Sequence, residues 1–111
     1  METSTEATGQ GVVVMNVCGD VDSFAAPALK EELFACIDCG ADRVVVDLTA
    51  SRLVDSTGLG VLVAGLKRAR GRELSIVSDD AGLWRMFRIV GLDRVFTLYR
   101  TRAEALRRAP L

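Results

Sequence analysis

The sequence contains no histidine, only three cysteines and no long uninterrupted apolar stretch. Without histidine, neither the Ser-His nor the Cys-His pair that activates the nucleophile of many small hydrolases can form. Structural zinc sites have four ligands, so Cys18 and the Cys36-x-x-Cys39 pair do not complete one. An odd number of cysteines provides no disulfide framework either, and we interpret all three as buried or incidental thiols in a reducing compartment.

Charged side chains also limit the length of every apolar segment. Within the most hydrophobic part of the chain they are Asp47, Arg52, Asp55 and Lys67. No segment therefore reaches the roughly 18 to 20 apolar residues that span a bilayer. The first six residues are acidic and polar, unlike the basic and then apolar regions of a secretory signal. We expect a cytoplasmic protein with no membrane insertion.

The composition predicts one small globular domain. Of the 111 residues, 50% are hydrophobic and 26% are charged, which suffices for a sizeable core. The net charge of −1 conceals an asymmetry, because residues 1–66 carry three basic and ten acidic side chains and residues 67–111 carry eleven basic and five acidic ones. The basic residues are spread over three predicted elements, so we predict a solvated surface and no direct nucleic-acid partner.

Short apolar runs alternate with helical periodicities along the chain. We predict strands at residues 11–18, 43–48, 73–78 and 94–99. We predict helices between Pro27 and Gly40, from about Leu59 to Arg70, through Leu83 to Val90, and from Arg102 to Arg108. The fold class is therefore α/β, with a mainly parallel (mixed) sheet of four to five strands and about four helices. Residues 1–10 are a polar arm or an edge strand, and residues 11–111 form the domain.

The segment that stands out as a candidate functional site is residues 53–60, Leu-Val-Asp-Ser-Thr-Gly-Leu-Gly, between a buried strand and a helix. The carboxyl ends of strands in open α/β sheets are where ligands and partners bind. Asp55, Ser56 and Thr57 all suit a helix N-cap, so one interpretation is that a hydroxyl simply caps the helix. The other is that Ser56 is a modifiable hydroxyl, because a phosphate at a helix N-terminus meets N–H donors and the positive end of the helix dipole. The glycines of this segment allow another backbone to approach closely.

Three enzyme motifs contain similar residue types, and each fails on spacing. An aspartic protease motif places the carboxylate two residues before glycine, whereas Asp55 lies three before Gly58. A Walker loop fails because Leu66 and Lys67 stand where lysine and a hydroxyl residue are needed, and a dinucleotide fingerprint fails because Val63 replaces its third glycine.

Four aspartates remain as candidates for acid–base catalysis, namely Asp20, Asp22, Asp47 and Asp55. No metal-ligand spacing accompanies them, and we expect Asp47 to end a strand and face the loop. We predict a protein that is not an enzyme and has no cofactor or metal.

Several motifs in order resemble one known family. They are Gly-Asp-Val-Asp at 19–22, Ala-Pro-Ala-Leu at 26–29, Val-Val-Asp-Leu at 45–48, Asp-Ser-Thr-Gly-Leu-Gly at 55–60, Arg-Ile-Val-Gly-Leu-Asp at 88–93 and Glu-Ala-Leu at 104–106. Together with the α/β alternation, they resemble the STAS domain of bacterial anti-sigma factor antagonists over roughly residues 11 to 108.

The resemblance implies a binding protein that regulates transcription by partner switching. Family members bind an anti-sigma factor that is also a serine kinase, which frees the sigma factor. Phosphorylation breaks that complex, and a serine phosphatase restores it. The matching phosphoacceptor in this chain is Ser56. The implied partner-binding residues are Asp22, Asp55, Thr57, Gly58 and Leu59.

Two positions depart from the family pattern, and one alternative function stays open. Ala25 stands where family members often have threonine before the first helix, so the cap there passes to Ser23 or Asp22. Thr57 is a second hydroxyl that can accept phosphate. The alternative is a STAS-type accessory subunit of a membrane transport ATPase complex, in which the domain clamps the ATPase and no phosphorylation occurs.

Overall fold

Residues 1–107, the part of the chain that the computed structural model describes, contain five strands and four α-helices. In chain order they are β1 (Glu2–Ala7), β2 (Val12–Cys18), α1 (Ala26–Asp38), β3 (Arg43–Ala50), α2 (Ser56–Ala69), β4 (Glu73–Val77), α3 (Ala81–Ile89), β5 (Thr97–Tyr99) and α4 (Arg102–Arg107). None of the helices within residues 1–107 has both the length and the apolar character needed to cross a membrane. The predicted α/β class is confirmed.

The strands form a single mixed sheet in the order β1-β2-β3-β4-β5. β1 runs antiparallel to β2, with Thr5 opposite Met15, and the other neighbouring pairs are parallel. The first ten residues, for which the sequence left two possibilities, therefore contain an edge strand. Because β2 to β5 run in one direction, their carboxyl ends share one edge, and the loops after the neighbouring strands β2 and β3 lie side by side.

The main core lies between one face of the sheet and helices α1, α2 and α3. Alternate residues of β3, including Val44 and Val46, point into it. The apolar stripe of α1, formed by Leu29, Leu33 and Ile37, is fully buried there. Burying a side chain of this size stabilises the fold by roughly 1.5–3 kcal/mol, so this layer holds the helices that flank the candidate site firmly against the sheet.

The opposite face of the sheet is covered by α4. The small apolar cluster on this side consists of Val14, Val45, Val77 and Ala105. Arg43, which is buried, donates from Nη1 to the Ala105 carbonyl over 2.7 Å and from Nη2 to the Ser75 hydroxyl over 3.1 Å. A single arginine thereby links β3 to β4 and to the last helix.

Several element boundaries differ from those predicted, most of all the starts of α2 and β5. α2 begins at Ser56, not at Leu59, because Asp55 caps the helix. β5 is confined to Thr97–Tyr99 because a 3-10 turn occupies Leu92–Arg94. The predicted end of the last helix at Arg108 lies outside the described residues.

Candidate functional site

Two loops at the carboxyl edge of the sheet are joined into one surface. Val21, in the loop after β2, forms an isolated parallel bridge with Val54, in the loop after β3. The Val21 N–H donates to the Leu53 carbonyl over 2.8 Å, and the Asp55 N–H donates to the Val21 carbonyl over 3.0 Å. Asp22 and Asp55, each the next residue in its loop, are therefore held at neighbouring positions.

Gly58 fixes the first turn of α2 against the same bridge. A β-carbon at Gly58 would lie 2.5 Å from Cγ1 of Val21 and 3.2 Å from the Val21 carbonyl oxygen. Gly60 instead faces open space, so only the first of the two glycines has the close neighbour that the sequence predicted. Gly58 is buried, and Leu59 is half-buried against the main core. Both residues thus shape the site from below its surface.

The Ser56 hydroxyl is exposed at the first position of α2. Asp55 is the N-cap, and its Oδ1 accepts a hydrogen bond from the Gly58 N–H over 3.0 Å. Ser56 and Thr57 are both exposed, and neither hydroxyl forms a hydrogen bond with any other residue of the described chain. The interpretation in which one of these hydroxyls caps the helix is wrong, because a carboxylate already does so.

Asp22 organises the turn that leads into α1. Its Oδ1 accepts a hydrogen bond from the Ala25 N–H over 3.0 Å, and its main-chain carbonyl accepts one from the Ala26 N–H over 2.9 Å. Ala25 occupies the N-cap position without a side-chain hydrogen bond, and Ser23 is exposed. Of the two substitutes predicted for the missing threonine, Asp22 makes the contact.

The site offers hydroxyl and carboxylate groups. Asp20 is exposed, Asp22 and Asp55 are half-buried, and Arg52 is an exposed cation in the loop after β3. The sequence has no histidine, and no side chain among the described residues is hydrogen-bonded to the Ser56 hydroxyl. The N-terminal N–H groups of α2 and the positive end of its dipole favour a phosphate at this position.

Two exposed apolar side chains flank the site, Leu53 in the segment singled out from the sequence and Phe24, which was not singled out. Phe24 is 92% exposed, the highest value among the large apolar residues of the described chain, and Leu53 is 51% exposed. Phe24 lies between Asp22 and α1, and Leu53 accepts a main-chain hydrogen bond from Val21. A signal was present for Phe24, because it precedes the apolar stripe of α1 and does not share its periodicity.

Asp47 does not face the loop, contrary to expectation. β3 continues to Ala50, so Asp47 is a buried residue inside the strand and not at its end. Its Oδ1 accepts hydrogen bonds from the N–H and the hydroxyl of Thr49, at 2.9 and 2.7 Å. This carboxylate is therefore engaged locally rather than paired with Asp22 or Asp55.

The cysteines are free thiols that lie away from the site. Cys36 is buried, while Cys18 and Cys39 are exposed. Burial, followed by the charges of Cys39 and Glu32, raises the pKa of the Cys36 thiol, which disfavours the reactive thiolate. Within residues 1–107 no three side chains of the metal-binding types are grouped.

Comparisons with known proteins agree with this architecture. The family model described as the STAS domain matches residues 5–105, a span that includes part of β1. The anti-sigma-F factor antagonist RsfB of Mycobacterium tuberculosis is 30% identical over 105 residues, which cover 94% of this chain and 86% of RsfB.

Solved structures show the same fold. An anti-sigma factor antagonist from Mycobacterium paratuberculosis superposes with a TM-score of 0.86 and 31% identity, covering 95% of this chain and 90% of that one. The phosphorylated form of the Bacillus cell fate determinant SpoIIAA superposes with a TM-score of 0.75, covering 96% and 98%. SpoIIAA is 18% identical, so that likeness concerns the fold alone.

Proposed function

The chain belongs to the STAS domain family, and we propose that it is an anti-sigma factor antagonist whose binding to an anti-sigma factor serine kinase is controlled by phosphorylation of Ser56. The names of relatives at 30 to 34% identity support the first part, since they include anti-sigma-F and anti-sigma-B factor antagonists. The proposal assigns binding rather than catalysis to this chain and places it in the cytoplasm, where sigma factors act.

The observation that carries the proposal is the position of the Ser56 hydroxyl. It is exposed at the first residue of α2, and the helix cap is supplied by Asp55. A kinase therefore reaches this oxygen without unfolding the helix and without breaking a hydrogen bond. Asp22 and Thr57 lie at the same surface and flank the acceptor, while Gly58 and Leu59 support it from beneath.

The covalent step is a reversible phosphoryl transfer. The kinase transfers the γ-phosphoryl group of ATP to Oγ of Ser56, the hydroxyl proton is lost and ADP is released. A serine phosphatase then hydrolyses the ester with water, which restores the Ser56 hydroxyl and releases inorganic phosphate. Neither step requires a catalytic group from this chain.

Phosphorylation acts on binding through charge and desolvation. A phosphoserine adds about −1.5 to −2 charges at pH 7, next to the carboxylate of Asp55 and near that of Asp22. In an interface that closes over a neutral Ser56, burying an unpaired dianion costs several kcal/mol. A loss of about 2.8 kcal/mol already weakens binding about a hundredfold.

The free protein tolerates the same phosphate. The first N–H groups of α2 and the helix dipole stabilise negative charge at this terminus. SpoIIAA, which shares the fold, has been solved in a phosphorylated form, so the fold accommodates such a modification. Phosphorylation thus weakens binding to the partner and leaves the structure of the chain intact.

The test uses the purified chain and each anti-sigma factor kinase encoded in the source genome. Wild type, Ser56→Ala and the matched control Thr57→Ala are incubated with kinase and ATP, and intact-mass spectrometry follows the gain of one phosphate group. We expect wild type and Thr57→Ala to gain it and Ser56→Ala to remain unmodified. Phosphate on Ser56→Ala but not on Thr57→Ala would move the acceptor to Thr57.

Binding is measured on the same proteins. We expect unphosphorylated wild type and Ser56→Ala to bind the kinase, and the phosphorylated form to bind about a hundredfold more weakly. If no kinase binds and the chain instead copurifies with a transporter ATPase without a phosphorylated form, the accessory-subunit alternative replaces the proposal.

A further inference from the structure

We propose that Phe24 is the apolar anchor of the interface, a side chain that inserts into an apolar pocket of the anti-sigma factor kinase and sets affinity independently of the Ser56 switch. The inference rests on the proposed function, since its occupant is the same partner. It adds a residue that the Asp-Ser-Thr-Gly motif does not contain.

The exposure of Phe24 is the first argument. With 92% of its surface in water, the ring contributes almost nothing to the core, while its burial in a complex removes a large apolar area from water. Such aromatic anchors, surrounded by polar groups, are where binding energy concentrates in protein interfaces. The polar surroundings are present in Asp20, Asp22 and Ser23, all on the same turn.

The rigidity of the turn is the second argument. The Ala25 N–H donates to the Asp22 carboxylate on one side of Phe24, and the Ala26 N–H donates to the Asp22 carbonyl. Both contacts enclose Phe24 in a closed turn at the start of α1. An anchor presented on an ordered backbone loses less conformational entropy on binding than one on a loose loop.

Continuity with the phosphoacceptor surface is the third argument. Val21 joins the Phe24 turn to Val54 through the β-bridge, and its side chain packs against Gly58 in the first turn of α2. A partner that covers Ser56 therefore meets Phe24 on the same rigid surface. Leu53, half exposed on the adjoining loop, extends the apolar area.

The two residues have separate tasks in this arrangement. Phe24 buries the same apolar area in the bound complex and in the transition state of phosphoryl transfer. Its loss therefore weakens binding without slowing phosphoryl transfer at saturation. Ser56 adds no apolar area, but its charge state decides whether the interface closes.

The experiment compares wild type with Phe24→Ala, Phe24→Leu and the matched control Ile89→Ala. Ile89 is 75% exposed at the end of α3. Because α3 connects parallel strands β4 and β5, its end lies away from the carboxyl edge of the sheet, where the site is. For unphosphorylated Phe24→Ala we expect the Kd for the purified kinase to rise about thirtyfold, equivalent to about 2 kcal/mol. Phe24→Leu restores most of the affinity, and Ile89→Ala stays within twofold of wild type.

Kinetics of Ser56 phosphorylation provide the second measurement. For Phe24→Ala we expect a higher KM, by the same factor as the Kd, with kcat unchanged within twofold. Because the Phe24 ring contributes little to the core, we expect Phe24→Ala to remain folded, and thermal unfolding checks this.

The possible failures are distinguishable. A wild-type chain that binds no anti-sigma factor kinase overturns the proposed function together with this inference. Wild-type binding combined with a Phe24→Ala Kd within twofold overturns the anchor alone, as does a fall in kcat without a change in Kd. Phe24-dependent self-association in sedimentation velocity assigns the ring to a second copy of the chain and also overturns the anchor.

Discussion

Gly58 packs against Val21 so closely that a β-carbon at position 58 would lie 2.5 Å from the valine Cγ1. We therefore expect Gly58→Ala to destabilise the fold by about 1–3 kcal/mol, the usual cost of overpacking. Urea denaturation measures the change. Gly60→Ala is the matched control in the same helix, where a β-carbon would meet no atom within 4 Å apart from its chain neighbours and the adjacent helix backbone, and alanine there stabilises the helix by about 0.5–1 kcal/mol.

A compensating change tests whether Val21 is the cause. In the double variant Val21→Ala/Gly58→Ala, the new methyl group occupies space vacated by the valine. We expect the combined loss to be smaller than the sum of the single losses by at least about 0.5 kcal/mol. Strict additivity in a double-mutant cycle would show that the cost of Gly58→Ala arises elsewhere.

Asp55 contributes to stability as the cap of α2, and Ser56 does not. Asp55→Ala removes the acceptor of the Gly58 N–H, which costs about 0.5–2 kcal/mol, whereas Asp55→Ser retains a capping oxygen and most of the stability. Ser56→Ala removes a hydroxyl without a partner in the described chain and stays within about 0.5 kcal/mol of wild type. Chemical denaturation of the three variants decides the matter, and an equal loss in Ser56→Ala and Asp55→Ala would make Ser56 the cap in solution.

The exposed pair Asp38 and Arg68 should affect the pKa of Asp38 and, through it, the stability of the protein in acid. Two hydrogen bonds join them, at 2.8 and 2.7 Å. The hydrogen bond from Arg68, reinforced by the charges of Arg68 and Arg72, holds the pKa of Asp38 below its ordinary value of 3.8. A depressed folded pKa means that the contribution to stability is present above 3.8 and is lost as the pH falls through the folded pKa.

We therefore expect Arg68→Gln to raise the Asp38 pKa towards 3.8. NMR titration of the Asp38 side chain measures the shift directly. The stability difference between wild type and variant should be small, because both groups are solvent-exposed, and it should vanish in strong acid. An Asp38 titration that is the same in both proteins would contradict the pairing.

The start of α2 shows what the sequence pattern could and could not predict. The apolar periodicity begins at Leu59, so the sequence predicted a helix there and left three candidate caps before it. Only the structure shows which side chain folds back onto the Gly58 N–H, since Asp55, Ser56 and Thr57 all have suitable oxygens. The sequence singled out Ser56 as the candidate phosphoacceptor, which stays a prediction, but it did not predict that this residue lies inside the helix.

Phe96 and Phe24 show why apolar identity alone misleads. Phe96 lies within the predicted strand 94–99 and is buried, but it precedes β5, which begins at Thr97. Phe24 is as apolar, yet its ring remains in water because the Asp22 turn directs the chain into α1. Burial depends on the path of the backbone, and local composition does not determine that path.

Arg43 attaches the last helix to the sheet, and its removal should release that helix before the rest of the chain unfolds. The guanidinium pairs with Glu73, donates to Ser75 and to the Ala105 carbonyl, and lies over the ring of Tyr99. Arg43→Ala removes one partner of a mostly buried ion pair, and we expect a loss of about 3 kcal/mol. Arg43→Lys recovers only part of it, because one ammonium cannot reproduce the planar set of donors.

Hydrogen exchange provides the specific readout for this attachment. In Arg43→Ala the amides of α4 should exchange faster than those of β3 and α2, since the contact to Ala105 is lost while the main core is retained. Arg88→Ala, which removes an exposed arginine from α3, is the control and should leave α4 protection unchanged. Equal protection of α4 in wild type and Arg43→Ala would mean that the apolar contacts of Ala105 with Val14, Val45 and Val77 hold the helix without the arginine.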